Sequence, residues 1–205
     1  MNSLSYLHRF EPGTNPSAPP LLLLHGTGGD EEDLIPLGRQ LAPGSALLSP
    51  RGDVSEHGRP RFFHRFAEGV FDLEDVAKRT HALADFIGTA AAKYKFNPAN
   101  LAALGYSNGA NIAASLFLLR PDTLAAAALL RPMVVLEPPQ VPDLQGKRIL
   151  ILSGRQDPIV PQDHPERLAR QLRSAGAAVT LQWLDSGHQL TRADLAHAQS
   201  FFAAR

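Results

Sequence analysis

The segment 105–109, Gly-Tyr-Ser-Asn-Gly, constrains the fold of this chain more than any other segment. An apolar run at 100–104 precedes it, and a helix-like run at 110–119 follows it. A serine between two glycines at a strand-to-helix junction is typical of a nucleophile elbow, a sharp turn that exposes the hydroxyl at the carboxyl end of the strand. Glycine and serine are also common in ordinary turns. The rest of the chain therefore has to decide between these two interpretations.

Short apolar runs alternate with helical patterns along the chain. The four leucines at 21–24 are typical of a strand buried on both faces, and 72–94 has apolar residues at three- and four-residue steps. We predict further strands at 4–10, 46–49, 148–152 and 178–184 and further helices at 31–41, 164–175 and 190–204. In the first of these helices Asp30 is the predicted N-cap and Pro36 a potential break. Segment 123–130 is either a strand or a short helix.

This alternation predicts an α/β fold with a mostly parallel central sheet and helices on both faces, in a single domain over residues 1–205. Segment 51–71 interrupts the pattern. It is rich in arginine and phenylalanine and has no clear period, so we expect a long loop. Loops of this length are usually functional or disordered, and the aromatic residues argue against disorder.

Composition excludes several kinds of chemistry. The chain has no cysteine, which removes disulfides, thiolate nucleophiles and cysteine-ligated zinc. Its 20 acidic and 20 basic residues balance, so charge gives no reason to expect a nucleic acid or an anionic membrane as partner. Neither a signal peptide nor an apolar run of membrane-spanning length is visible. We expect a cytoplasmic protein.

A serine nucleophile needs a general base and an acid that orients the base. Asp157 and His188 each follow a predicted strand, and the order Ser107, Asp157, His188 is typical of hydrolases with a nucleophile elbow. The carboxyl ends of parallel strands share one edge of the sheet, so the three side chains are expected to converge there. Two alternatives stay open: Asp185 or Asp163 as the acid, and His188 as an ordinary loop histidine.

Acyl transfer also needs hydrogen-bond donors for the oxyanion. The backbone amide of Asn108 is one candidate, and that of Thr27, in the glycine-rich segment 25–29, is the other. The alternative for this segment is a phosphate-binding loop, but the lysine of a P-loop is missing. His25 is expected to make a structural hydrogen bond within its loop. No spacing of histidines and carboxylates suggests a metal site.

Several segments carry a resemblance to a known family. They are Leu-Leu-Leu-His-Gly-Thr-Gly-Gly-Asp at 22–30, Gly-Tyr-Ser-Asn-Gly-Ala-Asn at 105–111, Gly-Arg-Gln-Asp-Pro-Ile-Val-Pro at 154–161 and Gly-His at 187–188. In these segments the chain resembles the phospholipase/carboxylesterase family of α/β-hydrolases. Three further segments are most similar to bacterial hydrolases associated with methylhydroquinone and quinone stress: Arg-Phe-Phe at 61–63, Glu-Gly-Val-Phe-Asp at 68–72 and Leu-Arg-Pro-Met at 130–133.

The resemblance implies an α/β-hydrolase fold without a large cap domain and a serine esterase that uses no cofactor. It implies Ser107, Asp157 and His188 as catalytic residues and the amides of Thr27 and Asn108 as the oxyanion hole. The implied partner is a small-molecule ester, with no nucleic acid and no membrane, and a homodimer is left open. The acyl-protein thioesterases of this family typically differ from the chain after His-Gly and at the Arg-Pro-Met segment.

The walls of the substrate site are expected from the aromatic loop and from the segment after the elbow helix. The residues we assign to these walls are Phe62, Phe63, Arg65, Phe71, Arg131 and Met133. Because no large insert covers the sheet, the site is expected to be shallow and to favour small or short-chain esters. Arg61, Arg65 or Arg131 either holds a substrate carboxylate or pairs with an acid such as Asp72 to fix the loop.

Other functions fit the same residues. A thioesterase or lysophospholipase acting on longer acyl chains, or a carbon–carbon hydrolase, would use the same three groups. A dienelactone-type enzyme usually relies on a cysteine, which this chain lacks. The non-enzymatic alternative is a ligand-binding protein on a hydrolase scaffold, and labelling of Ser107 by a fluorophosphonate would distinguish it from an enzyme.

Overall fold

The computed structural model describes residues 4–204, and its strands and helices alternate as the sequence predicts. The strands are β1 (His8–Glu11), β2 (Leu21–Leu24), β3 (Leu47–Pro50), β4 (Val54–Glu56), β5 (Arg59–Arg61), β6 (Arg65–Ala67), β7 (Val70–Phe71), β8 (Ala102–Tyr106), β9 (Ala126–Leu130), β10 (Arg148–Gly154) and β11 (Ala178–Leu184). The α-helices are α1 (Ile35–Leu41), α2 (Leu73–Tyr94), α3 (Asn108–Leu119), α4 (His164–Ser174) and α5 (Arg192–Ala203).

Seven of these strands form one central sheet in the order β1-β3-β2-β8-β9-β10-β11. Every neighbouring pair is parallel except β1 and β3. The antiparallel edge strand begins at His8, later than the predicted start at residue 4. The predicted α/β fold with a mostly parallel sheet is confirmed, and it is the architecture of the α/β-hydrolases.

The four leucines of β2 show why helices cover both faces of the sheet. Side chains alternate along a strand, so Leu22 and Leu24 point to one face and Leu21 and Leu23 to the other. The first pair packs in a hydrophobic cluster with residues of α2, α3 and α4, and the second pair packs with residues of α1 and α5. All four leucines are buried. A strand buried on both faces therefore needs apolar residues at every position.

Helix α1 is shorter than predicted. It begins at Ile35 rather than at residue 31, and Leu34 is its N-cap. Asp30 instead accepts a hydrogen bond from the Glu32 amide in a turn before the helix. Pro36 does not break the helix, because it lies in the first turn, where a missing amide hydrogen costs nothing. The ambiguous segment 123–130 contains β9 after a short 3-10 turn.

Segment 51–71 is not an irregular loop, as we expected, but two small antiparallel hairpins. Strand β4 pairs with β5, and β6 pairs with β7. Arg65 joins the two hairpins, because its guanidinium donates to both carboxylate oxygens of Glu56 at 2.7 and 2.8 Å. The segment is held by pairing between its short strands, by the contact between the two hairpins and by buried aromatic residues. None of these contacts produces a regular hydrophobic period in the sequence.

The groups singled out in the sequence follow the carboxyl ends of adjacent parallel strands. They are His25 to Thr27 after β2, Ser107 after β8, Arg131 after β9, Asp157 after β10 and His188 after β11. This edge of the sheet is where ligands bind in open α/β folds. Between residues 4 and 204, no helix has the length and hydropathy needed to cross a membrane.

Candidate active site

Ser107 occupies a sharp turn between β8 and α3. Its backbone has φ 52° and ψ −113°, in a region that residues with a side chain rarely adopt. The amide of Ser107 donates to the Leu130 carbonyl at 2.8 Å, which fixes the turn against β9. Such a conformation costs about 1–3 kcal/mol and persists where the surroundings enforce it. Segment 105–109 is therefore a strained strand-to-helix turn and not an ordinary glycine-rich turn.

Gly105 and Gly109 lie where there is no room for a side chain. A Cβ atom at Gly105 would lie 2.6 Å from the Gly109 carbonyl oxygen, and one at Gly109 would lie 2.0 Å from the Leu24 carbonyl oxygen. Both distances are far below a van der Waals contact. The glycines allow helix α3 to start directly against the ends of β2 and β8, which places the serine at the edge of the sheet.

Ser107, His188 and Asp157 form a continuous chain of hydrogen bonds. The Ser107 Oγ lies 3.0 Å from His188 Nε2, and His188 Nδ1 lies 2.8 Å from Asp157 Oδ2. The other oxygen of Asp157 accepts the amides of Ile159 and Val160 at 2.8 and 3.1 Å. The carboxylate is thus fixed by its own turn and presents one free oxygen to the imidazole. In the tautomer with the proton on Nδ1, Nε2 is the acceptor for the serine hydroxyl.

The alternative acids lie elsewhere. Asp185 is 86% exposed and faces Arg155, and Asp163 pairs with Arg167 at the start of α4. His25 does make the structural hydrogen bonds expected of it: Nδ1 contacts the Gly26 carbonyl oxygen at 2.7 Å, and Nε2 accepts the Gly52 amide at 2.9 Å. Burial lowers the pKa of His25, which favours the neutral ring.

The amides of Thr27 and Asn108 both belong to residues that border the cleft around Ser107. Asn108 is the first residue of α3, so its N–H has no partner within the helix. Within residues 4–204, neither amide donates a hydrogen bond to another group. Two free backbone donors on residues that line the same cleft as Ser107 are the elements that an oxyanion hole requires.

The two hairpins of segment 51–71 form hydrogen bonds with the side chains of Thr27 and Asn108. The sequence did not indicate these contacts. Arg61 Nη1 donates to Thr27 Oγ1 at 2.6 Å, and the Phe62 amide donates to Asn108 Oδ1 at 2.7 Å. Outside the hairpins, the Asn111 side chain accepts the amide of Met133, which follows β9, at 2.7 Å. The hairpins therefore hold the loop that carries Thr27 and the start of α3 in place. Asparagine at 108 and 111 was visible in the motif, but nothing in the pattern indicated its partners.

The cleft next to Ser107 has a volume of about 230 Å³. Of the six residues assigned to its walls, Arg65, Phe71, Arg131 and Met133 do line it. Phe62 and Phe63 do not: both are 0% exposed and pack in the core beneath the hairpins. The sequence could not separate these neighbours, because burial alternates irregularly along segment 51–71. Additional lining residues, which we did not predict, include Arg59, Glu68, Tyr106, Asn111 and Ile159.

The arginines proposed to hold a substrate carboxylate are already engaged. Arg65 pairs with Glu56 and Glu68. Arg61 is 2% exposed, and its burial lowers its pKa to about 10. Its guanidinium donates to Thr27 and to the Phe63 carbonyl, with Glu56 at 3.8 Å. The structure thus favours the alternative, in which arginines fix the loop, although Asp72 caps α2 rather than pairing with them.

Arg131 is also fixed, and it holds the loop that carries His188. It has φ 58° and a fully buried side chain that pairs with Asp194 of α5. Its guanidinium also donates to the carbonyls of Gly187 and Gln189, on either side of His188, at 3.0 and 3.2 Å. Asp194 was not predicted, although the Thr-x-x-Asp pattern at 191–194 is a capping-box signal.

In the described part of the chain, no group of three His, Asp or Glu side chains is arranged to hold a metal ion.

A model of the dienelactone hydrolase family matches residues 60–199, which include Ser107, Asp157 and His188. The chain belongs to this family. We expected the missing cysteine to argue against a dienelactone-type enzyme, but family membership holds with serine at the elbow. MhqD of Bacillus subtilis strain 168, named provisionally as a hydrolase, is 46% identical over 195 residues, which are 95% of this chain and 96% of the relative.

Solved structures agree with this assignment. A carboxylesterase of Bacillus cereus superposes with a TM-score of 0.95 and is 45% identical, covering 97% of this chain and 94% of its own. YahD, solved with malic acid, superposes with a TM-score of 0.90 and is 31% identical, covering 97% and 98%. The protein is therefore an α/β-fold hydrolase of the esterase type, and the resemblance to the carboxylesterases is confirmed.

Proposed function

We propose that this protein is a serine carboxylesterase that cleaves small carboxylic esters through an acyl-enzyme. The observation that carries the proposal is the hydrogen-bonded chain from Ser107 through His188 to Asp157, next to two free backbone amides. A serine hydroxyl is a weak nucleophile at neutral pH, and an adjacent imidazole acting as general base is the usual way to activate it.

In the proposed reaction, His188 Nε2 accepts the proton of Ser107 as Oγ attacks the ester carbonyl. The amides of Thr27 and Asn108 donate to the oxyanion, and the Asp157 carboxylate stabilises the imidazolium. His188 then returns the proton to the alcohol that leaves. Water, activated by the same histidine, releases the acid and restores Ser107. No step requires a metal or an organic cofactor.

The size of the cleft supports small substrates. A volume of about 230 Å³ lies below the range of about 300–1,000 Å³ that is usual for the sites of drug-sized ligands. The hairpins cover one side of it, and Phe71, Met133 and Ile159 supply apolar contacts. The relative YahD, solved with malic acid, offers an example of a small organic acid as the bound molecule. Thioesters, longer acyl esters and carbon–carbon bonds are the competing substrates, because the same three groups would act on them.

The test is hydrolysis of 4-nitrophenyl esters from acetate to palmitate by the wild type and by Ser107→Ala. We expect turnover of the short esters and a loss of at least about a thousandfold in the variant, because the nucleophile is removed. Ser200→Ala, at an exposed position of α5, is the matched control and should keep full activity. Preference for palmitate would favour a lysophospholipase or thioesterase, and turnover by Ser107→Ala would refute the mechanism.

A further inference from the structure

Arg59 differs from the other arginines of the cleft. Arg61, Arg65 and Arg131 are each held by buried or acidic partners. Within residues 4–204, Arg59 has neither a carboxylate within ion-pair distance nor a side-chain hydrogen bond, although it lines the same cleft as Ser107. A guanidinium carries five donors and a permanent charge, so one without a protein partner is available to a ligand.

The hairpin β4–β5 places Arg59 at the mouth of the site. Arg59 and Arg61 are two residues apart on one strand, so their side chains leave the same face. The Gly28 amide donates to the Pro60 carbonyl at 2.9 Å, which fixes this strand against the loop that carries Thr27. The Arg59 stem packs there as well, because a Cβ added at Gly28 would lie 3.3 Å from its Cδ. Arg59 therefore sits beside the candidate oxyanion hole.

The acids around the cleft contact groups other than Arg59. Asp157 accepts a hydrogen bond from His188, and Asp194 pairs with Arg131. Glu56 and Glu68 both contact Arg65. Since each of these carboxylates contacts another group, Arg59 is the cation of the cleft that has no carboxylate within ion-pair distance in the described residues. A cation at the rim of a small cleft attracts an anionic substrate and selects against a neutral one.

We propose that Arg59 determines specificity by binding an ionised carboxylate on the substrate, so that the preferred substrates are small esters carrying a second, free carboxyl group. A carboxylate matches the two parallel donors of a guanidinium, and a small cleft brings it close to the reacting ester. This inference rests on the proposed esterase function and adds the chemical class of substrate. In this proposal Arg59 contacts the free carboxylate of the substrate and not the ester group that is cleaved.

The experiment compares two matched substrate pairs. One pair is 4-nitrophenyl hydrogen adipate and its N-methylamide, with the charge on the acyl side. The other is O-acetyl-6-hydroxyhexanoic acid and its N-methylamide, with the charge on the alcohol side. We expect the wild type to prefer the anionic member of at least one pair by about five- to tenfold in kcat/KM, as for a partly exposed charge-assisted contact. Raising the salt from about 0.05 to 0.5 M should shrink this preference.

Variants assign the preference to one residue. Arg59→Gln should bring the ratio of anionic to neutral substrate close to one, while turnover of the neutral member stays near that of the wild type. Arg59→Lys should keep part of the preference, and Arg59→Glu should reverse it. Arg170→Gln, which removes the same charge from an exposed position of α4, is the control and should leave the ratio unchanged.

The proposal fails if the ratios of the wild type and Arg59→Gln agree for both pairs. It also fails if Arg59→Gln slows the charged and the neutral substrates equally, because Arg59 would then only support the hairpin. A failure of the esterase function itself is separate: the wild type would hydrolyse neither member of either pair, and a fluorophosphonate would not label Ser107.

Discussion

Arg131 and Asp194 form a bidentate ion pair, with nitrogen–oxygen distances of 2.6 and 2.9 Å and no exposure of either side chain. Through Arg131, this pair holds the carbonyls on both sides of His188. Through Asp194, it accepts the amide and the hydroxyl of Thr191 at the start of α5. One buried pair thus joins the end of β9, the histidine loop and a helix.

Asp194→Asn tests the importance of this pair. The change leaves Arg131 buried without a counter-charge, and breaking such pairs costs about 3–5 kcal/mol of unfolding free energy. We also expect kcat for ester hydrolysis to fall, because the loop around His188 loses its support. Urea denaturation and steady-state kinetics measure the two effects. Asp163→Asn, which removes an exposed pair with Arg167, should change stability by less than about 1 kcal/mol. Equal stability of the two variants would contradict the account.

Gly109→Ala should prevent folding or lower the free energy of unfolding by more than about 3 kcal/mol, because the new Cβ would collide with the carbonyls of Leu24 and His25. Gly88→Ala is the matched control. It lies in α2 with nothing within 4 Å of the added atom, so the exchange should stabilise the helix by about 0.5–1 kcal/mol. Thermal and urea unfolding give both values. A stable Gly109→Ala protein would show that the tight packing of β2 against α3 is not required.

The sequence predicted the sheet, most helices and the convergence of Ser107, Asp157 and His188, because each depends on a local signal. Buried strands are continuous apolar runs, and the elbow and the two loop motifs follow them directly in the chain. Parallel strands bring their carboxyl ends to one edge whatever the details of packing. The position of these residues therefore followed from the parallel direction of the strands, without any knowledge of side-chain contacts.

The walls of the cleft were not predictable in the same way. Phe62 and Phe63 are neighbours of residues that line the cleft, yet they point into the core, because the two hairpins set their orientation. The partners of Arg65 and Arg131 lie 9 and 63 residues away along the chain. Such pairs depend on tertiary contacts and leave no periodic trace. Because Arg65 and Arg131 have such partners, we propose Arg59, and not those arginines, as the residue that binds a substrate carboxylate.

Asp157→Asn isolates the role of the acid. The asparagine oxygen can still accept the amides of Ile159 and Val160, so stability should change by less than about 1 kcal/mol. The amide can no longer stabilise an imidazolium or fix the tautomer of His188, so kcat should fall by about a thousandfold or more. Asp185→Asn, at an exposed position, should keep full activity. Equal kinetics of the two variants would overturn the assignment of the acid.

His25 makes stability depend on pH. Its ring is buried between two backbone groups, and burial lowers its pKa in the folded protein. The unfolded chain takes up a proton near pH 6.5, and the folded protein does so only at lower pH. The contribution of the buried neutral His25 to the free energy of unfolding is therefore fully present above about pH 6.5, and it is lost as the pH falls toward the pKa of His25 in the folded protein. Urea denaturation at about pH 7.5 and pH 5 should show a smaller pH effect in His25→Gln than in the wild type.

His81→Gln, at an exposed position of α2, serves as the control and should keep the pH effect of the wild type. If His25→Gln and the wild type lost the same stability on acidification, burial of His25 would not contribute to it.

The most direct measurement of the central claim is mass spectrometry of the protein after treatment with a fluorophosphonate, which reacts with activated serines. The account predicts one adduct, on the peptide that contains Ser107, and slow labelling of His188→Ala, because the general base is missing. Ser107→Ala should take up no label. An unlabelled wild type, or an adduct that persists in Ser107→Ala, would contradict the proposal that Ser107 is the nucleophile of a serine carboxylesterase.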